Sequence, residues 1–304
     1  LGLAAASGSD ARLGQTSVSR PPSQKTSILS TALPAGIIPR LEVKALADTR
    51  VQPVISAENL TKVFSSGVFF REQTTAVDNV SFKMYPGTIL SLIGESGSGK
   101  TTIGRMILKL LRPTSGKLYY KGQDVTTIRG KAARKEYYRR VQGVFQDPFS
   151  SFNPLFRVDR AFDMVYDVFL PEVKDREART REVLQAVNLN PDRVLQQFPH
   201  QLSGGQLQRL LIARALLLDV EVLVADELIS MLDASTRMGV LNLLVDICKK
   251  NGMSVLFITH DLALGYYISD YTLIMHRGKL VEQGVTREVY HNPVHPRNKR
   301  YNRS

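Results

Sequence analysis

Apolar positions set the rhythm of this chain from about residue 54 onward, and changes in that rhythm predict its elements. Residues 54–64, 76–84 and 88–93 read as strands, with Pro86-Gly87 marking a turn before the third. A helical run over 102–111 stops at Arg112-Pro113, and 117–120 reads as a short strand. A strand at 141–145 follows a basic stretch of helical character. Helical spacing returns over 159–188 with Ala161, Met164, Val165 and Val168, then Val183, Leu184 and Val187, punctuated by Pro171 and Pro191. The segments 221–225 and 254–258 are almost wholly apolar, as strands of a parallel sheet covered on both faces are. A helix over 235–250 separates them. A last strand pair, 271–275 and 279–282, flanks Arg277-Gly278. The pattern predicts an α/β fold: a parallel core, an antiparallel β layer from the first two strands, and a small helical insertion. The polar and aromatic stretch 65–75 is expected to be an insertion between those two strands.

The first 52 residues lack this rhythm and are rich in Ser, Ala, Pro and Gly, so a disordered extension is expected there. Residues 53–290 are expected to form the main domain, with a helical subdomain over about 148–215, and 291–304 a basic tail. Of 304 residues, 43% are hydrophobic and 22% charged, as in ordinary globular proteins. No apolar run reaches the ~18 residues that a spanning helix needs, and no signal-peptide pattern opens the chain. A single cysteine, Cys248, excludes an internal disulfide and a Cys-only zinc site within one chain, and reads as core filler. The net charge of +12 is concentrated in Arg129, Lys131, Arg134, Lys135, Arg139 and Arg140 and in the tail. No stacking aromatics are interleaved, so a solvated basic face is expected and no nucleic acid partner.

One stretch carries specific chemistry. Gly94-Glu95-Ser96-Gly97-Ser98-Gly99-Lys100-Thr101 lies between a predicted strand and a predicted helix, the context required of the phosphate-cradling loop G-x-x-x-x-G-K-[ST]. Glycines let backbone N–H groups converge on an anion, and the helix start adds its positive dipole end. Lys100 can reach the β- and γ-phosphates, and the Thr101 hydroxyl can ligate Mg²⁺. A bound nucleoside triphosphate is expected. The strand 222–225 then delivers Asp226, a carboxylate suited to Mg²⁺, and Glu227, suited to polarising water.

The segment Leu202-Ser203-Gly204-Gly205-Gln206 resembles the signature of the ATP-binding cassette (ABC) ATPases. Read with the phosphate loop, the resemblance extends over about residues 54–294. It implies a P-loop NTPase core with an antiparallel β subdomain and an inserted helical signature subdomain. ATP and Mg²⁺ would be bound, with Phe64 stacking on adenine and Gly94 to Thr101 together with Thr102 holding phosphate. Phe64 is equally a core strand position. Ser203, Gly204, Gly205 and Gln206 would act in trans, capping the ATP of a second subunit. Gln146 resembles the Q-loop glutamine, a contact for Mg²⁺ or water. His260 resembles the switch histidine beside Glu227. Ser230-Met231-Leu232-Asp233 resembles the D-loop, with Asp233 at the interface. Catalysis would rest on Glu227, His260 and Gln146, and Mg²⁺ on Thr101, Gln146 and Asp226. Leu228, Ile229 and Met231 depart from the usual Pro, Thr and Ala.

Gln146-Asp147-Pro148-Phe149-Ser150-Ser151-Phe152-Asn153-Pro154 and Pro199-His200-Gln201-Leu202-Ser203-Gly204-Gly205 resemble the dipeptide, oligopeptide and nickel importer branch. That branch implies an ATPase peripheral to the cytoplasmic membrane face. Its partners would be a second ATPase subunit, permease subunits and, indirectly, an extracytoplasmic solute-binding protein. Peptides or oligosaccharides are the expected cargo. The alternative is a non-transport ABC ATPase acting on nucleic acid or ribosomes, motivated by the charge alone.

Overall fold

The computed structural model describes residues 51–66 and 72–293, with the side chains of Ser66 and Glu72 left aside, and all of them belong to one compact unit. The expected extension over residues 1–52 and basic tail fall almost wholly outside the described residues.

Strands β1 (Ile55–Ser66) and β2 (Glu72–Met84) form an antiparallel hairpin. Pairing runs out to Ser65 with Gln73 and Ser66 with Glu72, so most of the expected 65–75 insertion is strand. An exposed two-stranded ladder needs no apolar face, which is why these polar residues do not read as strand. Asn59 and Asn79 take left-handed backbone where the register shifts, a conformation that asparagine tolerates. β3 (Ile89–Gly94) leads into the helix Lys100–Ile107. That helix ends four residues before the expected 111. Lys109 turns to φ 56°, and the Leu110 and Leu111 N–H groups fold back onto the Arg105 carbonyl at 2.9 and 3.1 Å.

β4 (Ser115–Tyr120) and β5 (Gln123–Asp124) complete a four-stranded antiparallel layer of order β2-β1-β4-β5. The basic helix Lys131–Arg140 then feeds β6 (Val141–Val144). Helices Asp159–Phe169, Arg176–Ala186, Pro191–Val194 and Gly204–Leu216 intervene before β7 (Val222–Asp226). The long helix Ala234–Asn251 crosses over to β8 (Ser254–Thr259). Helix Leu262–Ile268 precedes the hairpin β9 (Tyr271–His276) and β10 (Lys279–Val285), and helix Thr286–His291 closes the described chain. The turn residues Arg277 and Gly278 both have positive φ, as a two-residue hairpin turn demands.

The second sheet has the order β10-β9-β3-β8-β7-β6, parallel throughout except for its β10 edge. Its central strands alternate between two cores. Leu223, Ala225, Val255 and Phe257 pack with the inserted helices, and Val222, Val224, Leu256 and Ile258 pack under the antiparallel layer. Both faces being covered explains the unbroken apolar runs. Truncating Phe257, fully buried, to Ala would cost about 3–5 kcal/mol.

Candidate functional site

The phosphate loop is wedged between two strands. A Cβ at Gly94 would lie 2.4 Å from the Met275 carbonyl oxygen, and one at Gly99 2.2 Å from that of Ala76. Gly99 also has φ 102°, a conformation that a side chain would strain. The Gly278 N–H donates to the Ser98 carbonyl at 3.1 Å, tying the loop to the β9–β10 turn. Lys100 is 4% exposed, and its Nζ donates to the Gly94 and Glu95 carbonyls at 2.8 and 2.9 Å. Burial pulls its pKa down, with Glu227 and Asp226 opposing. The Ser98 hydroxyl is buried with no partner among the described residues. Thr102 follows in the first helical turn, half-buried.

Register brings the carboxylates to this loop. Thr101 Oγ1 donates to Asp226 Oδ1 at 3.3 Å across 125 residues of sequence. Burial raises the Asp226 pKa, the Thr101 bond lowers it and the neighbouring Glu227 raises it further. Beyond the end of β7, Glu227 takes φ 49°, and its N–H donates to the Ile258 carbonyl at 2.9 Å. Such a left-handed residue costs on the order of 1–3 kcal/mol and persists where the surroundings impose it. Here it turns the Glu227 carboxylate toward His260, whose Nδ1 lies 3.2 Å from Oε1. Ser230 Oγ braces the turn by donating to the Glu227 carbonyl at 2.9 Å. The His260 side chain is 60% exposed and that of Glu227 22%, so the pair faces solvent at the site mouth. A cavity of about 450 Å³ adjoins it, bounded by Gly94, Glu95, Ser96, Glu227 and His260 and floored by apolar side chains.

Elsewhere the predicted residues are spread out. Phe64 is 41% exposed, with Lys62 Nζ 5.2 Å from its ring centroid, so it is not a core residue. Gln146 is exposed, and among the described residues no hydrogen bond joins its side chain to Thr101, Asp226 or Glu227. Its carbonyl instead accepts from Gln208 Nε2 at 3.4 Å. Gln208 is fully buried on the signature helix and was not apparent from sequence, since a polar residue within an apolar helix signals nothing until its partner is known.

Ser203 caps the helix Gly204–Leu216. Its Oγ accepts from the Gln206 N–H at 3.2 Å, and Gln206 Oε1 accepts from the Ser203 N–H at 2.9 Å. Both signature glycines belong to the helix itself. A Cβ on Gly204 would meet Leu232 at 3.3 Å and one on Gly205 would meet Thr236 at 2.4 Å. None of the four signature residues lines the cavity beside the phosphate loop. Asp233 caps the helix Ala234–Asn251, accepting from the Thr236 N–H at 3.0 Å and the Ser235 hydroxyl at 2.5 Å. Those bonds hold its carboxyl well below the usual range.

The residues present fit the expected ligands. A desolvated ammonium, an unpartnered buried hydroxyl and two positive-φ glycines surround the phosphate position. A hydroxyl and a buried carboxylate stand side by side as oxygen donors for Mg²⁺.

The ABC transporter family profile matches residues 77–230. This chain belongs to the ABC transporter family. Among curated ABC relatives, the oligopeptide transport ATP-binding protein OppF of Streptococcus mutans is 41% identical over 245 residues, 80% of this chain and 78% of that one. The dipeptide transport ATP-binding protein DppF of Lactococcus lactis is 42% identical over 252 residues, 82% and 80% of the two chains. A solved dimer of the bacterial ABC transporter cassette MJ0796 superposes with a TM-score of 0.68 at 28% identity, covering 77% of this chain and 99% of that one. A second dimeric structure of that cassette, bound to ADP and Pi, gives 0.66 at 27% identity. Within this ABC fold, two of the departing residues, Leu228 and Ile229, are buried at 0 and 3% exposure, whereas Met231 is 58% exposed.

Proposed function

We propose that this ABC ATPase powers a peptide importer from the cytoplasmic membrane face, with related solutes such as oligosaccharides as the wider cargo class. The juxtaposition of Thr101 with Asp226 and of Glu227 with His260 beside one phosphate loop carries the enzymatic part. The names of the OppF and DppF relatives support peptides. Lys100 and the loop N–H groups hold the phosphates of ATP. Glu227 takes the proton of the attacking water, and His260 fixes that carboxylate. Thr101 and Asp226, with Gln146 once it swings inward, would hold Mg²⁺, which when bound neutralises phosphate charge.

Ser203 to Gln206 act on the ATP of a second subunit, so two chains close around two nucleotides. Permease subunits dock on the groove of about 640 Å³ lined by Phe152, Phe156, Met164 and Val165, which lies next to the Gln146 segment. The extracytoplasmic solute-binding protein acts through them. A steady-state ATPase assay on purified chain tests the enzyme: Glu227→Gln retains ATP binding and loses turnover, and near wild-type hydrolysis by that variant would sink the assignment. Co-purifying the permease complex and identifying the ligand of its solute-binding protein tests the cargo.

A further inference from the structure

Two features of the catalytic face take no part in phosphoryl transfer. The first is Met231, 58% exposed while its neighbours Leu228, Ile229 and Leu232 are 0, 3 and 4% exposed. Its backbone is held firmly. Arg237 Nε donates to the Leu232 carbonyl at 2.7 Å, Arg237 Nη2 donates to that of Ser230 at 3.4 Å, and the Leu232 N–H donates to that of Ile229 at 3.2 Å. A large, soft apolar side chain on a braced turn is an interface anchor in form. The second feature is the floor of the 450 Å³ cavity: Ile93, Leu262, Ile274, Met275 and Val281, directly behind the loop residues Gly94 to Ser96. Phosphate has no use for such a surface.

The packing of the signature connects the two. The Gly204 and Gly205 positions lie against Leu232 and Thr236, so the signature helix start and the Met231 turn form one unit. Resting on the composite site proposed for this protein, a partner's Ser203–Gln206 arrives at this chain's phosphate loop, and its Met231 turn comes with it. The cavity wall is that same loop. A two-fold axis repeats the contact on the other side. We propose that Met231 of each copy inserts into the apolar cavity of the second copy of this chain. There it covers the Glu227–His260 pair and excludes bulk water from it. Where the family commonly has a small residue, this chain uses a longer one that fills the partner's cavity.

Cysteine pairing tests the contact, because the sole native cysteine, Cys248, is buried. Full-length Met231→Cys chain is mixed with full-length Val281→Cys chain, both also carrying Glu227→Gln, and oxidised mildly with ATP or ADP. A disulfide-linked dimer is expected in the mixture with ATP and not with ADP. Separately, Met231→Ala should weaken ATP-driven dimerisation about a hundred- to ten-thousandfold, the loss expected for two buried Met side chains per dimer, while Met231→Leu stays near wild type and both keep the wild-type Tm. ATP-driven dimers that fail to cross-link, or that cross-link equally in ADP, overturn the insertion and leave the composite site standing. Failure of wild-type and Glu227→Gln chains to dimerise with ATP overturns the composite site, and the insertion with it.

Discussion

The phosphate loop and the signature turn are both glycine-rich starts of helices, yet they are finished differently. The helix after Gly99 has no side-chain cap, and its loop is locked from behind by Ala76 and Met275. Its N–H groups and the buried Lys100 therefore lie ready for an anion. The helix after Ser203 satisfies its own first turn through the Ser203–Gln206 box, and Ser203 itself is exposed. One region completes half of a site inside its own chain. The other is preformed, self-satisfied and turned outward. If the site is divided between two chains as proposed, hydrolysis is conditional on their association.

The sharpest way to break this comparison is within the first region. Glu227→Gln should lower turnover by about 10²–10⁴-fold while ATP binding persists, measured by steady-state hydrolysis and nucleotide-binding titration. The second test sets the regions against each other. Lys100→Ala and Ser203→Arg should each abolish hydrolysis alone, but mixed dimers hold one site with both intact halves. An equimolar mixture should therefore regain up to about a quarter of wild-type activity. A mixture as inactive as its components would argue against division of the site between chains.

Smaller effects compare the two sets of glycines. Gly99→Ala forces a Cβ onto a carbonyl at a left-handed backbone and should cost about 3 kcal/mol, read as a lower Tm. Gly205→Ala meets only a rotatable Thr236 methyl and should cost about 1 kcal/mol. The smallest effect is electrostatic. Burial raises the Asp226 pKa in the fold, so its ionised form destabilises the nucleotide-free protein above that pKa. Asp226→Asn should raise Tm slightly at neutral pH, measured by thermal unfolding. The Tm gain should shrink as pH falls through the raised pKa, where wild-type Asp226 becomes neutral as well.

Much of this was legible from sequence because it is local. The parallel strands appear as apolar runs since each is covered on both faces, and Gly94 to Thr101 announces itself since a loop that wraps phosphate tolerates few other residues. Errors arose where neighbours decide. The apolar pattern through Leu110 and Leu111 continued the helix, but Lys109 breaks it, leaving Leu110 exposed while Leu111 packs half-buried against the core. The ends of the 65–75 stretch, up to Ser66 and from Glu72, pair as strand although exposed hairpin arms carry no apolar signature. Gln208 stayed hidden because its role lies in reaching the Gln146 carbonyl, 62 residues away.

By itself the sequence determined the chemical groups: a lysine and a hydroxyl at a helix start, two carboxylates ending a buried strand, and a histidine ending another. These follow from the short-range rules of backbone conformation and side-chain period. The tertiary structure decided which groups meet. Parallel pairing of β7 with β8 sets Asp226 opposite Ile258, and the left-handed turn at Glu227 then aims its carboxylate at His260, 33 residues away. It also decided that Leu228 and Ile229 turn inward while Met231 turns out. Contact across the sheet depends on register, and exposure depends on what packs alongside. Neither is encoded at any single position.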